Sequence, residues 1–540
     1  MFKSIFSGGA TILLLFISNL NATTYYVDNS GGNDGNSGTS ISTAWNSISK
    51  VNSASFNSGD IISFKCGDRF TDATLTPHSD GLSFNNYGTG ARPVIDGQSS
   101  TFCAKLDNRS NITFEGLKFV NGFSGSSTDP SANVNLWDCN HITFESCNID
   151  SSKGGHITKV GLYDGQGTYL TIRNCTLSYG EQTLSDPNQG NLGIYLDGTD
   201  NALMEYDTLI GNFSNIRVAF GTVDKGMANG LIVRYCVLKG GRYDNIDEDG
   251  SSGAQFYYNV FDAPNINVYL FTDGSGNYDQ YATRNSSYYN NTFITHGSEA
   301  SIHLNSKTGV NNGMVFKNNI FYSDNSSGYF LYEEVSGQMG SWTMNNNIYY
   351  MTSPCSHMWV MHGTSYGTLA QWNSLGYDDN SINADPLFNN YASGDYSLQS
   401  GSKAIKSGIN LGLTVDIKGN AVPSNNPDLG AFQHKTSSTT YIAPIAVPQD
   451  FSIGNYPNPF NPSTKIKYTI PAESTINLVI YNIIGEKIDE LINDIQQPGT
   501  YELNWNASNH PSGIYLLSIN ISPLNGGPKN SKTIKMNLIK

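Results

Sequence analysis

The sequence predicts an all-β protein, a solenoid of about ten to twelve stacked coils followed by a small β-sandwich, and three observations carry that prediction. First, nine segments can be laid over one another: ITFEGLKF from Ile112, ITFESCNI from Ile142, LTIRNCTL from Leu170, ALMEYDTL from Ala202, LIVRYCVL from Leu231, AQFYYNVF from Ala254, SSYYNNTF from Ser286, MVFKNNIF from Met314 and WTMNNNIY from Trp342. Their offsets are 30, 28, 32, 29, 23, 32, 28 and 28 residues, so the period wanders but never breaks. Second, each segment alternates like a strand, passes a small polar residue and closes on a large apolar one. Third, the sixth position runs Leu117, Cys147, Cys175, Asp207, Cys236, Asn259, Asn291, Asn319, Asn347. Such a file, ending in asparagines, reads as a hydrogen-bonded amide ladder at a repeated turn.

The elements follow in chain order. Met1 to Ala22 carries Lys3, an apolar run from Ala10 to Ile17 and a small residue at Ala22, the pattern of a secretory signal peptide. Residues 23–434 hold the solenoid and its N-terminal cap. Their opening reads YYVDNSGGNDGNSGTS from Tyr25, then AWNSISKVN and SGDIISFKCGDRF, and their close reads ADPLFNN from Ala384, DYSLQSGSKAIKSG and DLGAFQ. Over residues 25–434 these segments and the repeat resemble the right-handed parallel β-helix proteins of the pectin-lyase-like kind. That resemblance implies a short amphipathic helix over the open N-terminal end. It implies no single reaction, because the fold hosts lyases, hydrolases, epimerases, adhesins and inert spacers.

Residues 435–450 form a polar linker bearing Ser, Thr and Pro. Residues 451–540 alternate strands with Pro, Gly and Asn turns, as a small β-sandwich does. There YPNPFNPSTKIKYTIP from Tyr456, the Gly485 turn and the SGIY strand stand in order. The stretch resembles the C-terminal sorting domain read by the type IX (Por) secretion machinery. That resemblance implies this machinery as a partner and a secreted or outer-surface location.

Composition fits an exported, turn-dense chain: charged residues are only 14%, against a norm of about a quarter. Seven cysteines is an odd count, which excludes a complete disulfide framework. Cys147, Cys175 and Cys236 share one coil position and are expected to stack unpaired. The net charge of −15, with no basic stripe, argues against nucleic acid. No apolar run of membrane-spanning length follows the leader, and a monomer is expected. The Asp and Asn run from Asp28 to Asn36 reads as a cap turn rather than a calcium loop.

The resemblance places substrates along the sheet that precedes each aligned segment. Those strands read AKLDN, VNLWD, VGLYDG, GIYLDG, NIRVAF, NIDEDG, NVYLFTDG, SIHLNS and YFLYEE. Apolar pairs such as Ile194 and Leu196 point inward, so their neighbours form an outer face. Asp197, Arg217, Asp247 and Asp249 are the candidate catalytic residues. Tyr195, Tyr269, His303, Asn305 and Trp137 are the candidate substrate-binding residues. Within GGRYDNIDEDG, alternation with Ile246 inside drives Glu248 into the core, unless the strand bulges or the acid is protonated or paired.

Two chemistries could use this face. Glycoside hydrolysis needs one carboxylic acid and one carboxylate, and this reading requires no cofactor. Polysaccharide elimination needs a base and a cation at the uronate carboxylate. YDNIDEDG resembles the calcium-binding strand of one group of pectate lyases, which implies Asp244 and Asp247 as Ca2+ ligands. Asn245, Ile246 and Tyr243 depart from that pattern, and Tyr269 stands where such a lyase carries its lysine. A third class, a non-catalytic glycan-binding rod or adhesin, would favour featureless outer faces. Clustered opposite charges on three consecutive coils speak against it, and an outward face rich in acids and poor in lysine favours hydrolysis of a polysaccharide over elimination.

Overall fold

A computed structural model describes residues 22–123, 131–150, 159–178, 191–219, 227–241, 243–272, 282–306, 309–353, 355–434, 452–470, 474–496, 499–508, 510–523 and 530–539. The expected signal peptide and linker lie almost wholly outside these residues. The chain divides into two compact units, residues 1–437 and 438–540.

The first unit is a right-handed parallel β-helix built from three long sheets. Sheet A has 12 strands, from Thr24–Val27 to Thr343–Asn345, and sheet B has 12, from Arg69–Phe70 to Ile382–Asn383. Sheet C has 11, from Ala104–Asp107 to Thr364–Tyr366, and every pairing in it is parallel except the last. Each aligned segment supplies one strand of sheet A and one of sheet B, in the register the repeat predicts (Phe114 beside Phe144, Phe119 beside Ile149).

One residue turns the chain between these two sheets. The fifth position of each segment is left-handed: Ser146 has φ 53°, Tyr235 58° and Asn318 59°. That conformation costs an ordinary L-residue about 1–2 kcal/mol and is cheapest for Gly and Asn. It also diverts the next N–H from the strand ladder, and the sixth position answers this need. The N–H of Cys236 donates to Asn259 Oδ1 at 2.9 Å, that of Asn259 to Asn291 Oδ1 at 3.0 Å, and that of Asn291 to Asn319 Oδ1 at 2.9 Å. Each amide then donates backward, as Asn291 Nδ2 does to Phe256 O at 2.9 Å. The file ends where Asn347 donates to Asp378 Oδ1 at 2.9 Å and to Ser381 Oγ at 2.8 Å. Among the described residues the cysteines are all free, three of them as stacked members of this file.

Aromatic rings stack inside at the coil spacing. Phe256, Tyr288 and Phe316 lie 4.4 and 4.7 Å apart, and Phe261, Phe293 and Phe321 4.9 and 4.8 Å apart. The N-terminal end is closed by the helix Ile48–Ser53, whose Ile48 and Val51 join the core. Asp28 accepts from the N–H of Gly31 at 2.7 Å and Asp34 from that of Asn46 at 2.7 Å, so these acids serve the cap turn. The other end is closed by the helix Leu369–Asn373, with Trp372 stacked on Trp359 at 5.7 Å. Residues 384–434 add no further coils. They run back over the outer face of sheet B, where Phe388, Tyr396, Leu398 and Leu429 pack on Ile294, Ile320 and Tyr322. His296 bridges Asp262 at 2.9 Å and Asp324 at 2.8 Å, and Tyr396 donates to Asp262 at 2.6 Å. Hydrogen bonds to these acids push His296 up to about 9, so this histidine, given no role by sequence, is a charged clamp on the returning segment.

The second unit is an antiparallel two-sheet sandwich. Ser452–Tyr456, Ser463–Ile470 and Gly499–Asn506 face Lys487–Gln496, Ser474–Asn482, Gly513–Pro523 and Asn530–Leu538 across their own core of Ile466, Tyr468, Leu478, Trp505 and Leu517.

Asn319→Leu is expected to cost about 1–3 kcal/mol, because the N–H of Asn291 and the carbonyl of Tyr288 both lose a buried partner. Urea denaturation checks it, and a variant as stable as the parent would refute the ladder. Asp207 occupies the same file, fully buried, with Oδ2 unpartnered, and burial holds its carboxyl well above the usual range. A raised folded pKa means the parent loses stability as pH rises above the unfolded value. Asp207→Asn should therefore stabilise by about 1 kcal/mol at neutral pH, with the gain shrinking in acid.

Candidate functional site

Sheet C carries the predicted outer face in the predicted register. Tyr195 lies beside Arg217, Arg217 beside Asp247, Asp247 beside Tyr269, and Tyr269 beside His303. A second file runs Trp137, Gly165, Asp197, Ala219, Asp249. Residues far apart in sequence thus meet at one strand spacing, about 4.8 Å.

The corner that feeds this sheet is another buried amide file. Asn215 donates to Asn245 Oδ1 at 2.6 Å, Asn245 to Asn267 Oδ1 at 2.8 Å, and Asn267 to Thr295 Oγ1 at 2.9 Å. Asn245 therefore turns inward as well as Ile246, which leaves Asp244 beside Asp247 and Arg217. The sequence signal was the recurrence of Asn before the inward pair in NIRV, NIDE and NVYL.

Arg217 is the centre of the charge cluster. Its Nε lies 3.4 Å from Asp247 Oδ2 and its second terminal nitrogen 3.5 Å from Asp249 Oδ2. Its guanidinium sits 5.6 Å from the centre of the Tyr195 ring. Asp247 above all keeps Arg217 protonated. Asp247 and Asp249 are 7% and 5% exposed, so both are largely out of water. Burial raises Asp247, with Arg217 opposing. Burial, then the neighbouring Asp247, raises Asp244 well above the usual range. Asp197 stands apart from the ion pairs and accepts from Tyr163 Oη at 2.9 Å. Burial raises it too, with Tyr163 and Arg217 opposing.

The candidate binding residues flank this cluster. Trp137 is 40% exposed and lies over Gly165, where a Cβ would come within 2.6 Å of its ring. Tyr269 has Tyr243 and Asn305 as hydrogen-bond neighbours, and its ring meets those of Tyr243 at 5.4 Å and His303 at 5.3 Å. His303 lies 3.5 Å from Glu334 and 4.0 Å from Glu299, and burial lowers its pKa. Two members were missed from sequence. Tyr163 precedes Tyr195 by one coil in VGLYDG, and Tyr243 stacks on Phe213 at 5.2 Å just before the acidic strand.

Glu248 points into the core with no break in register between Val218 and Leu270. It is fully buried, and Ser251, Ser286 (2.8 Å) and Tyr288 all donate to its carboxyl. Burial raises its pKa against these hydroxyls. The hydroxyl at Tyr288, where the other coils carry Phe, Ile, Met or Val, and Ser286, where the others carry Ile, Leu, Ala, Met or Trp, were its sequence signal.

Asp244 and Asp247 are the expected calcium ligands. Arg217 already supplies the cation beside Asp247, and among the described residues no three His, Cys, Asp or Glu side chains are grouped to hold a metal. No described helix is long and apolar enough to cross a membrane.

Residues 455–532 match the secretion system C-terminal sorting domain, so the chain is sent by type IX secretion to the cell surface or the extracellular space. A search of curated proteins gave no match. Among solved structures, the chain is similar to a GH136 lacto-N-biosidase from Eubacterium ramulus (14% identity, TM-score 0.47, 67% of each chain). It is also similar to PfbA, a surface adhesin of Streptococcus pneumoniae (10% identity, TM-score 0.40, 54% of this chain and 77% of that one). A third is the tailspike of E. coli bacteriophage HK620 in complex with pentasaccharide (12% identity, TM-score 0.38, 89% and 81%). At these values none of them bears on the reaction.

Glu248→Leu should cost about 1–3 kcal/mol or more by stranding three buried hydroxyls, whereas Glu248→Gln keeps one oxygen to accept from Ser251 and Ser286 and an NH2 to donate to the Tyr288 hydroxyl. The parent should lose stability relative to Glu248→Gln as pH rises above the ordinary glutamate value, because its folded pKa is raised. Denaturation at several pH values checks both; a pH-independent difference would mean that the acid does not titrate in the core.

Proposed function

We propose that the protein is a secreted glycoside hydrolase whose reaction takes place on the outer face of sheet C. The observation that carries this is the division of carboxylates around one guanidinium. Asp247 and Asp249 pair with Arg217, while Asp197 sits outside those pairs, hydrogen-bonded to Tyr163 and with its pKa raised. Glycoside hydrolysis requires such a division, one acid to protonate the leaving oxygen and one carboxylate to work on the opposite side.

Asp197 is the proposed acid. It gives its proton to the glycosidic oxygen as the bond to the anomeric carbon breaks. Asp249, ion-paired with Arg217, is the proposed base, which takes a proton from the water attacking that carbon. The two residues share one file two coils apart, so their backbones are separated by roughly 10 Å. This spacing leaves room for a water and favours inversion over a covalent intermediate. Asp247 holds Arg217 in place, and Arg217 stabilises the developing charge. Trp137 and Tyr195 offer faces to sugar rings, with Asn305 and the largely buried Tyr269 and His303 as polar contacts beyond them.

Release of reducing ends from a polysaccharide panel tests the proposal. Asp197→Asn and Asp249→Asn should each lower kcat at least about a hundredfold with little change in melting temperature, and Arg217→Ala should be similarly impaired. The parent's activity should decline on the alkaline side as Asp197 loses its proton, at a pH above the ordinary aspartate value. Chelator should leave activity unchanged. Unsaturated, ultraviolet-absorbing products or restoration by calcium would replace hydrolysis with elimination, and full activity in both aspartate variants would move the reaction off these coils.

A further inference from the structure

The balance between one arginine and the carboxylates paired with it decides what charge the groove accepts. Asp197, Asp244, Asp247, Asp249 and Glu334 lie along the middle strands of sheet C or at their ends, and Arg217 is the cation at their centre. That cation is already engaged, since Asp247 and Asp249 hold it at 3.4 and 3.5 Å. A sugar carboxylate or sulfate approaching the guanidinium would meet both of these carboxylates as well. Asp247 and Asp249 are 7% and 5% exposed and together outweigh Arg217 by one negative charge, so water screens that charge poorly from an arriving anion. Among the described residues, the nearest lysine in the outward file is Lys105, which reaches Arg217 through Asn135, Tyr163 and Tyr195. Those intervening strands place it roughly 19 Å away. The face does offer aromatic rings at Trp137, Tyr195 and Tyr243, and carboxylates that accept hydrogen bonds from hydroxyl or acetamido groups.

Resting on the glycan-cleaving reading of this face, we infer that the substrate is an uncharged glycan, a polymer of hydroxyl- or acetamido-bearing sugars, and that polyuronates and sulfated glycans are rejected. Rejection comes from the acids that the proposed chemistry requires, so specificity and reaction are set by the same side chains.

The test separates this inference from the hydrolytic reading by measuring binding as well as cleavage. Affinity electrophoresis of the full chain is run in uncharged polysaccharides, and in acidic polymers paired with their carboxyl-reduced forms, so that linkage is constant within a pair. Retardation by uncharged polymers is expected, with any recognised carboxyl-reduced form binding at least about tenfold tighter than its acidic parent. Equal or tighter binding of an acidic parent, or binding confined to acidic polymers, would overturn the inference whatever the cleavage assay shows. Binding of an uncharged polymer that the protein cannot cleave would leave the inference standing and remove the hydrolytic reading alone.

Discussion

The structure depends on a single backbone obligation. A β-helix turns its corner between sheets A and B through one left-handed residue, and the N–H that follows is buried without a strand partner. An unpaired buried N–H is costly, so every coil needs an acceptor from its neighbour at that place. Asparagine meets the need, accepting with its oxygen and donating with its nitrogen. Cysteine does so more weakly, with the N–H of Cys147 lying 3.3 Å from Cys175 Sγ. Asp207 accepts from Cys175 at 2.8 Å but has no amide hydrogen to donate, which is why its carboxyl is driven toward the neutral form.

Once the corners fix the stacking, the outer face follows. Parallel in-register pairing brings position 217 beside 247 and 247 beside 269 without any loop having to organise them. A second amide file at the other corner then holds the strand ends from beneath. The charge cluster is thus carried on strands whose backbone is already satisfied, the rigid support that a site needs for precise placement. Glu248 belongs to this support. It sits on the same strand as Asp247 and Asp249 and ties that strand to Ser286 and Tyr288, which begin the aligned segment of the neighbouring coil.

Much of this was legible in the sequence, for a physical reason. Register in a parallel solenoid is set by strict period-two alternation and a repeating corner, so aligning Asn259, Asn291, Asn319 and Asn347 aligned everything else, including Arg217 with Asp247. What escaped notice depends on contacts that a repeat does not encode. Tyr163 acquires its place through a hydrogen bond to Asp197 on the next coil. The turning of Asn245 inward breaks the alternation that the reading relied on, and so left the placement of Asp244 unread. The returning segment 384–434 lies outside the repeat, and its partners are ring edges and single hydrogen bonds that leave no periodic trace.

That returning segment constrains how such a protein can evolve. Solenoids commonly change length by gaining or losing whole units, because each unit contacts only its neighbours. Here the segment meets several successive coils at once: Tyr396 reaches Asp262, the N–H of Ala431 reaches Thr292, that of Gly430 reaches the carbonyl of Asn318, and Tyr391 reaches Asp324. Inserting one coil among these would shift later partners by about 4.8 Å, more than a hydrogen bond tolerates. Duplication is therefore free only toward the N-terminal coils. The coils spanned by the segment are held to a fixed number, and the groove beside them inherits a fixed length on that side.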